Sequence, residues 1–328
     1  MAARILTSAC SGRQLALLGA AAEAGVMRLE MRRPSMVRSA FRAGRFAGSL
    51  ACLFLTFLVG SSSSLRAQTG SMVANWAAVA APADLNAPDA QWIKVDGQGH
   101  KLLAAVFRPR GSGPFPVVVL LHGASGLQMG HVALAQEISS AGFLVVVGCW
   151  QSVASPNPVC SEAPPQAAWQ ADPAANSGKE LIAAARTLPG ARGDRTGLYG
   201  LSRGGLAALW AASTGANVQA VVVDASGHRP RVTPLPSALT VIAGLTAPTF
   251  LLHGTADPAI PVEQSREYER AARALGKSVS AVYFEGVGHQ VTLAPGRAEP
   301  EPLADARRAA QTEARRQAIT FLRDHLLK

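Results

Sequence analysis

The stretch Thr196-Gly197-Leu198-Tyr199-Gly200-Leu201-Ser202-Arg203-Gly204-Gly205 governs how the rest of the chain is read. A short apolar run comes first, then G-x-S-x-G, then Gly205-Leu206-Ala207-Ala208-Leu209-Trp210-Ala211-Ala212, which has the composition of a helix. Strand, tight turn and helix in that order is the setting of a nucleophile elbow, which lifts a serine hydroxyl above a sheet edge. In so tight a turn, a side chain two positions before or after the serine would collide with neighbouring backbone, and glycine removes the collision. Glycine-rich turns also arise by chance in Ala/Gly-rich sequence, so the pentapeptide has to be weighed with its surroundings.

Those surroundings alternate between apolar runs and helical spacing. Phe115 to Leu121 is a continuous apolar run, as expected for a central strand covered on both faces, and Phe143 to Cys149 repeats it. Further strands are expected at 220–223, 249–252 and 279–284, with helices at 131–141, 176–187, 262–275 and 303–327. Trp92 to Val95 and Lys101 to Phe107 flank Asp96-Gly97-Gln98-Gly99, a hairpin signal. The alternation predicts an α/β fold with a mainly parallel central sheet and helices on both faces. Residues 92–328 read as one domain, preceded by an Ala/Pro-rich irregular arm at 69–91. No insertion is large enough for a full lid domain, so a fairly open site is expected.

The first 68 residues read as a leader. They hold nine arginines against Glu23 and Glu30, so +7 of the formal +10 lies there and about +3 remains for the rest. The basic balance therefore gives no argument for a nucleic-acid partner. Arg38, Arg42 and Arg45 precede an uncharged run from Phe46 to Gly60, and Ser61 to Gln68 follows. That layout is a secretory signal peptide with cleavage near Ala67, which predicts export to the periplasm or beyond. The competing reading is an uncleaved membrane anchor at 46–60, short against the roughly 20 residues a spanning helix needs. Met27, Met31 and Met36 are alternative starts, so residues 1–30 need not be translated. After cleavage only Cys149 and Cys160 remain, and in an oxidising compartment they could pair; the alternative is a buried Cys149 and a free Cys160. No metal-ligand spacing occurs, and no cofactor is expected.

A serine hydroxyl is a weak nucleophile at neutral pH and needs a base with an orienting acid. In the order expected of this architecture both follow the serine. Asp257 lies in Leu251-Leu252-His253-Gly254-Thr255-Ala256-Asp257-Pro258, and His289 in Glu285-Gly286-Val287-Gly288-His289, each just past a predicted strand. Asp224, after Val223, is a rival acid. A developing oxyanion needs preorganised N–H donors. The Arg203 N–H follows from the elbow, and the second is assigned to Ala124, with Ser125 in reserve, in His122-Gly123-Ala124-Ser125-Gly126. His122 and His253, each at a strand end beside glycine, read as structural.

With these four motifs in this order, the chain from about residue 92 onward resembles the α/β-hydrolase superfamily. Its compact length and the Asp257 and His289 segments are similar to the dienelactone-hydrolase-like branch. That branch often carries cysteine as nucleophile, whereas this chain has Ser202, which favours a general serine esterase over a lactone-specific enzyme. The resemblance implies ester hydrolysis through an acyl-enzyme by Ser202, His289 and Asp257, acting on a small-molecule substrate. A serine peptidase for short peptides and a hydrolase-fold binding module are the alternatives. Loops 150–171 and 225–247 are the expected pocket walls, with Trp150, Gln151 and His228 as candidate substrate contacts, each of which reads equally as a packing residue. Arg229 and Arg231 would attract an acidic substrate or simply form a solvated basic loop.

Overall fold

The computed structural model describes residues 75–82, 87–97, 101–150, 171–229, 236–294 and 301–328; the predicted leader lies outside them. Among the described residues nine strands form one sheet: β1 (Asn75–Ala78), β2 (Gln91–Asp96), β3 (Lys101–Phe107), β4 (Phe115–Leu121), β5 (Leu144–Gly148), β6 (Ala191–Leu201), β7 (Ala220–Asp224), β8 (Thr249–Gly254) and β9 (Val279–Phe284). Their spatial order is β1-β2-β3-β5-β4-β6-β7-β8-β9. The pairs β1–β2, β2–β3 and β3–β5 are antiparallel, and every pair from β5 to β9 is parallel.

Five helices cover the sheet: α1 (Met129–Ser140), α2 (Ala171–Arg186), α3 (Arg203–Ser213), α4 (Val262–Ala274) and α5 (Glu301–Leu326). The pleat explains the apolar run in β4. Val117, Val119 and Leu121 pack with α2, α3 and α4 through Leu181, Leu206 and Tyr268, whereas Val118 and Leu120 pack with α1 and α5 through Ile138 and Leu322. Successive side chains point to opposite faces, and both faces are dry, so every position must be apolar.

Several elements exceed their expected bounds: α2 starts at Ala171 rather than 176, and the differences at β1 and β6 have a clear physical reason. The arm read as irregular contains β1, which pairs with β2 in register from Asn75↔Asp96 to Ala78↔Ile93. The open edge of the β2–β3 hairpin supplies the partner that the Ala-rich arm needs, and the Trp76 indole N–H donates to Thr187 Oγ1 at 3.1 Å. Strand β6, expected from Thr196 to Tyr199, starts at Ala191. Its register against β4 jumps from Arg192 to Thr196, so Gly193, Asp194 and Arg195 bulge out of the ladder and break the apolar pattern.

The order of strands places the site. After β4 the chain moves outward to β5, then returns through α2 to β6 on the other flank of β4. The crevice between the carboxyl ends of β4 and β6 is the switch point at which ligands bind in open α/β sheets. The loop from His122 and the turn at Ser202 bound this crevice. The turn is close-packed: a Cβ on Gly204 would lie 2.1 Å from Leu121 O, and one on Gly200 would lie 2.4 Å from Gly204 O.

The two costs a side chain can meet here separate experimentally. Gly204→Ala should lower stability by roughly 3 kcal/mol or more, because the obstacle is backbone. Gly215→Ala meets only the strain of φ +96°, with open space around it, and should cost about 1–2 kcal/mol. Urea unfolding of the two variants measures the difference.

Candidate active site

Ser202 is the last residue before α3 and has φ 53° and ψ −118°. That conformation is costly for a residue with a Cβ and persists only where the surroundings hold it. Its N–H donates to Asp224 O at 2.8 Å, and its C=O accepts from Gly205 and Leu206 N–H at 2.9 and 3.3 Å. The hydroxyl does not cap its own helix, and the residue is only partly buried. A partly exposed hydroxyl free of the helix terminus is available for chemistry.

His289 and Asp257 come from the loops after β9 and β8. Because β6, β8 and β9 are parallel, both arrive at the sheet edge that carries Ser202. His289 Nδ1 lies 2.6 Å from Asp257 Oδ2, with the imidazole 24% exposed and the carboxylate fully buried. A carboxylate only accepts here, so Nδ1 carries the proton and Nε2 is left with a lone pair. Asp257 Oδ1 accepts Ala259 and Ile260 N–H at 2.7 and 2.9 Å. His253 Nε2 donates to Oδ2 at 3.0 Å. Burial pushes the Asp257 carboxyl up, but these donors from His253, His289 and Ile260 outweigh it and hold it well below the usual carboxylate range.

The rival acid has a different task. Asp224 is fully buried and accepts Val291 N–H at 2.9 Å, Thr292 N–H at 2.8 Å and the Thr292 hydroxyl at 2.5 Å. Burial raises its pKa, opposed by those three donors. It anchors the segment just after His289. From the other side comes Arg307 of α5, only 5% exposed. Its Nη1 donates to Gly288 O at 3.0 Å, and its Nη2 to His289 O at 2.7 Å and Gln290 O at 2.8 Å. A buried guanidinium thus grips the carbonyls of this loop while a buried carboxyl group grips its amides. Arg307 is not marked in the sequence, where one arginine of a charged helix looks like any other.

Facing Ser202 across the crevice is the β4 loop. The point where a Cβ would stand on Gly123 lies 3.3 Å from Ser202 Cβ, so loop and elbow touch. Ala124 follows, half-buried, and Arg203 N–H opens the first turn of α3, where helix amides lack intrahelical partners. His122 donates from Nδ1 to Gly123 O at 2.8 Å, and its buried ring packs against Trp150 at 5.8 Å and His131 at 6.1 Å. Burial pushes its pKa down to about 3 and that of His131 to about 4, so both rings are neutral.

The expected pocket contacts are placed otherwise. Trp150 is 1% exposed, and its indole N–H donates to His122 O at 3.0 Å, bracing the β4 loop from beneath. His228 is fully buried between Ser237 Oγ at 2.7 Å and Glu267 Oε2 at 2.8 Å. Both side chains are buried and hydrogen-bonded within the protein, as the packing alternative for these positions expects. Arg229 reaches Glu267 at 3.3 Å; Gln151 and Arg231 lie outside the described residues. Cys149 is disulfide-bonded, while Cys160 lies outside the described residues. Among the described residues no group of three or more His, Cys, Asp or Glu side chains is arranged to hold a metal ion.

Comparison with known proteins fits this arrangement. Residues 102–326 match the family described as Dienelactone hydrolase family. The chain belongs to that family. A probable 2-oxo-3-(5-oxofuran-2-ylidene)propanoate lactonase from Bradyrhizobium sp. is similar to it, 28% identical over 203 residues that cover 60% of this chain and 82% of the relative. Among solved structures, a putative dienelactone hydrolase from Klebsiella pneumoniae superposes with a TM-score of 0.59 at 16% identity, covering 76% of this chain and 98% of that one. A thermophilic esterase from Thermogutta terrifontis gives 0.54 at 16% identity, covering 73% and 93%. The fold is thus that of dienelactone hydrolases and related α/β-hydrolases, and the chain is a member of a hydrolase family.

Asp257 also sets a pH dependence. Its folded-state pKa lies below the unfolded value near 4, so the stability it contributes is complete above about pH 4 and lost as pH falls below that. Replacing it by asparagine removes the titration. Urea unfolding of wild type and Asp257→Asn at pH 7 and pH 3 should show a smaller acid loss in the variant.

Proposed function

We propose that this protein is a serine hydrolase that cleaves carboxylic ester bonds through an acyl-enzyme. Ser202 Oγ attacks the ester carbonyl carbon as His289 Nε2 takes the hydroxyl proton. The oxyanion accepts the N–H groups of Ala124 and Arg203. As the tetrahedral adduct collapses, the bond to the alcohol oxygen breaks and His289 returns the proton to the departing alcohol. A water then attacks the acyl-enzyme, giving its proton to His289, and the acid leaves as Ser202 is reprotonated. Asp257 keeps the Nδ1 tautomer in place throughout and stabilises the transient imidazolium.

The observation that carries this reading is the strained backbone of Ser202, φ 53°, at the same sheet edge as the 2.6 Å His289–Asp257 hydrogen bond. Backbone conformations of this kind persist only where the surroundings over-determine them, and they cluster at active sites. A lactone is an ester whose alcohol stays tethered, so the lactonase named in Bradyrhizobium puts lactones among the substrates to be tried.

The test is a burst assay with p-nitrophenyl acetate and labelling by a fluorophosphonate. Wild type should show a burst and label at Ser202. Ser202→Ala should lose both, with kcat lower by roughly 10⁴-fold or more. Full activity in Ser202→Ala would sink the assignment. Absence of labelling in wild type would point to a binding module, and preference for aminoacyl amides over esters and lactones would make it a peptidase.

The proposal extends to location. A disulfide at Cys149 suits an oxidising compartment, which supports export under the signal-like segment of the leader. N-terminal sequencing of protein recovered from an exporting host should begin at or near Gln68. An intact leader would instead favour the anchor reading of 46–60.

A further inference from the structure

Gln290 follows His289 and has φ 57°. Among the described residues only Ser202, Asn217 and Ala225 are other non-glycine positions with positive φ. Asparagine tolerates this region through local hydrogen bonding; glutamine has no such aptitude. The conformation is imposed from both sides. Arg307 Nη2 holds Gln290 O at 2.8 Å, and Asp224 takes the next two amides, Val291 N–H and Thr292 N–H. Both gripping side chains are buried, so the strained peptide is held by groups that cannot relax into water.

The strain aims a side chain at the site. The point where a Cβ would stand on Gly123 lies 2.7 Å from Gln290 Nε2 and 3.3 Å from Ser202 Cβ. The amide and the serine therefore border the same spot over the loop that carries Ala124. Gly123 leaves room for this approach, since a side chain there would push the amide away from its present position. The Gln290 side chain has no hydrogen bond to a described residue and is only partly buried. It is an uncommitted amide beside the proposed nucleophile.

We propose that Gln290 is a specificity-determining residue that donates its Nε2–H to an oxygen on the acyl side of the substrate. The two backbone N–H groups already serve the carbonyl oxygen, so the amide calls for a second acceptor close to the reacting carbon. The substrate class is then esters or lactones whose acyl group carries an ether, hydroxyl, keto or carboxylate oxygen near the carbonyl. A purely aliphatic acyl chain would leave the amide facing hydrocarbon without a partner, which is how a polar site rejects an apolar analogue. This rests on the serine-hydrolase reading above.

The isosteric pair p-nitrophenyl methoxyacetate and p-nitrophenyl butyrate tests it, since they differ only by an ether oxygen in place of a methylene. Their ratio of kcat/KM in wild type, divided by their ratio with hydroxide, should be about tenfold in favour of methoxyacetate. Gln290→Leu should bring the quotient near one, and Gln290→Glu, which keeps the shape but replaces the donor, should do the same. Fluorophosphonate labelling at Ser202 checks that each variant retains its nucleophile. A wild-type quotient near one overturns the proposal without any variant, and an unchanged quotient in Gln290→Leu overturns it as well. Failure of wild type to label or to hydrolyse either ester would instead bring down the serine-hydrolase reading on which it stands.

Discussion

The contact on which the site depends is the approach of the α3 N-terminus to the end of β4. Gly204 lies so close to Leu121 O that no Cβ fits between them. This proximity sets the width of the crevice at the switch point, because β4 and β6 are neighbours and their following segments must diverge around it. It also brings the β4 loop close to the serine turn, so that a side chain on Gly123 would press on Ser202 Cβ. The strained Ser202 peptide is fixed through its own N–H to Asp224 O. One close approach thus orders the elbow, the amides that face it and the end of β7.

Asp224 connects that arrangement to the histidine loop. Its carbonyl takes Ser202 N–H while its carboxylate takes Val291 and Thr292 N–H, so a single residue joins the turn before α3 to the segment after His289. A buried carboxylate with no donors would cost several kcal/mol, and removing its partners would cost a similar amount. The same reasoning covers Arg307, whose Nη1 and Nη2 donate to three carbonyls rather than to an acid. The loop between these two buried groups can hardly shift without leaving one of them short of hydrogen-bond partners. That is a physical reason for a rigid His289, and for the tolerance of a positive φ at Gln290.

The sequence made the central architecture legible because its signals are local. A both-faces-buried strand must be apolar at every position, and Phe115 to Leu121 and Phe143 to Cys149 are. The glycines of the elbow announce a backbone contact that the structure contains. What could not be read is long-range. Asp224 looks like a strand-end acid until it meets amides 67 and 68 residues away. Trp150 looks like a pocket aromatic until its indole meets His122 O, 28 residues back in the chain. Arg307 carries no local mark at all. Strand β1 escaped because edge pairing demands only an available partner, and Asn75 to Ala78 has no alternation of its own.

His253 sharpens the role proposed for Asp257. Its Nε2 faces Asp257 Oδ2 and Ile260 O, both at 3.0 Å, and neither oxygen has a proton to give. The proton must therefore sit on His253 Nε2, which makes this ring a fixed donor to the acid. Asp257 then receives four donors on two oxygens: the amides of Ala259 and Ile260, His253 and His289. Such a carboxylate has little remaining basicity and cannot usefully accept a second proton from an imidazolium. In the proposed mechanism it would act as an anion held in place, orienting His289 and balancing its charge as the proton moves between serine, leaving group and water. The shorter of the two histidine contacts, 2.6 Å against 3.0 Å, belongs to His289, the ring that would become charged. In that proposed mechanism the second histidine would hold Asp257 as an oriented acceptor, with proton transfer falling to His289.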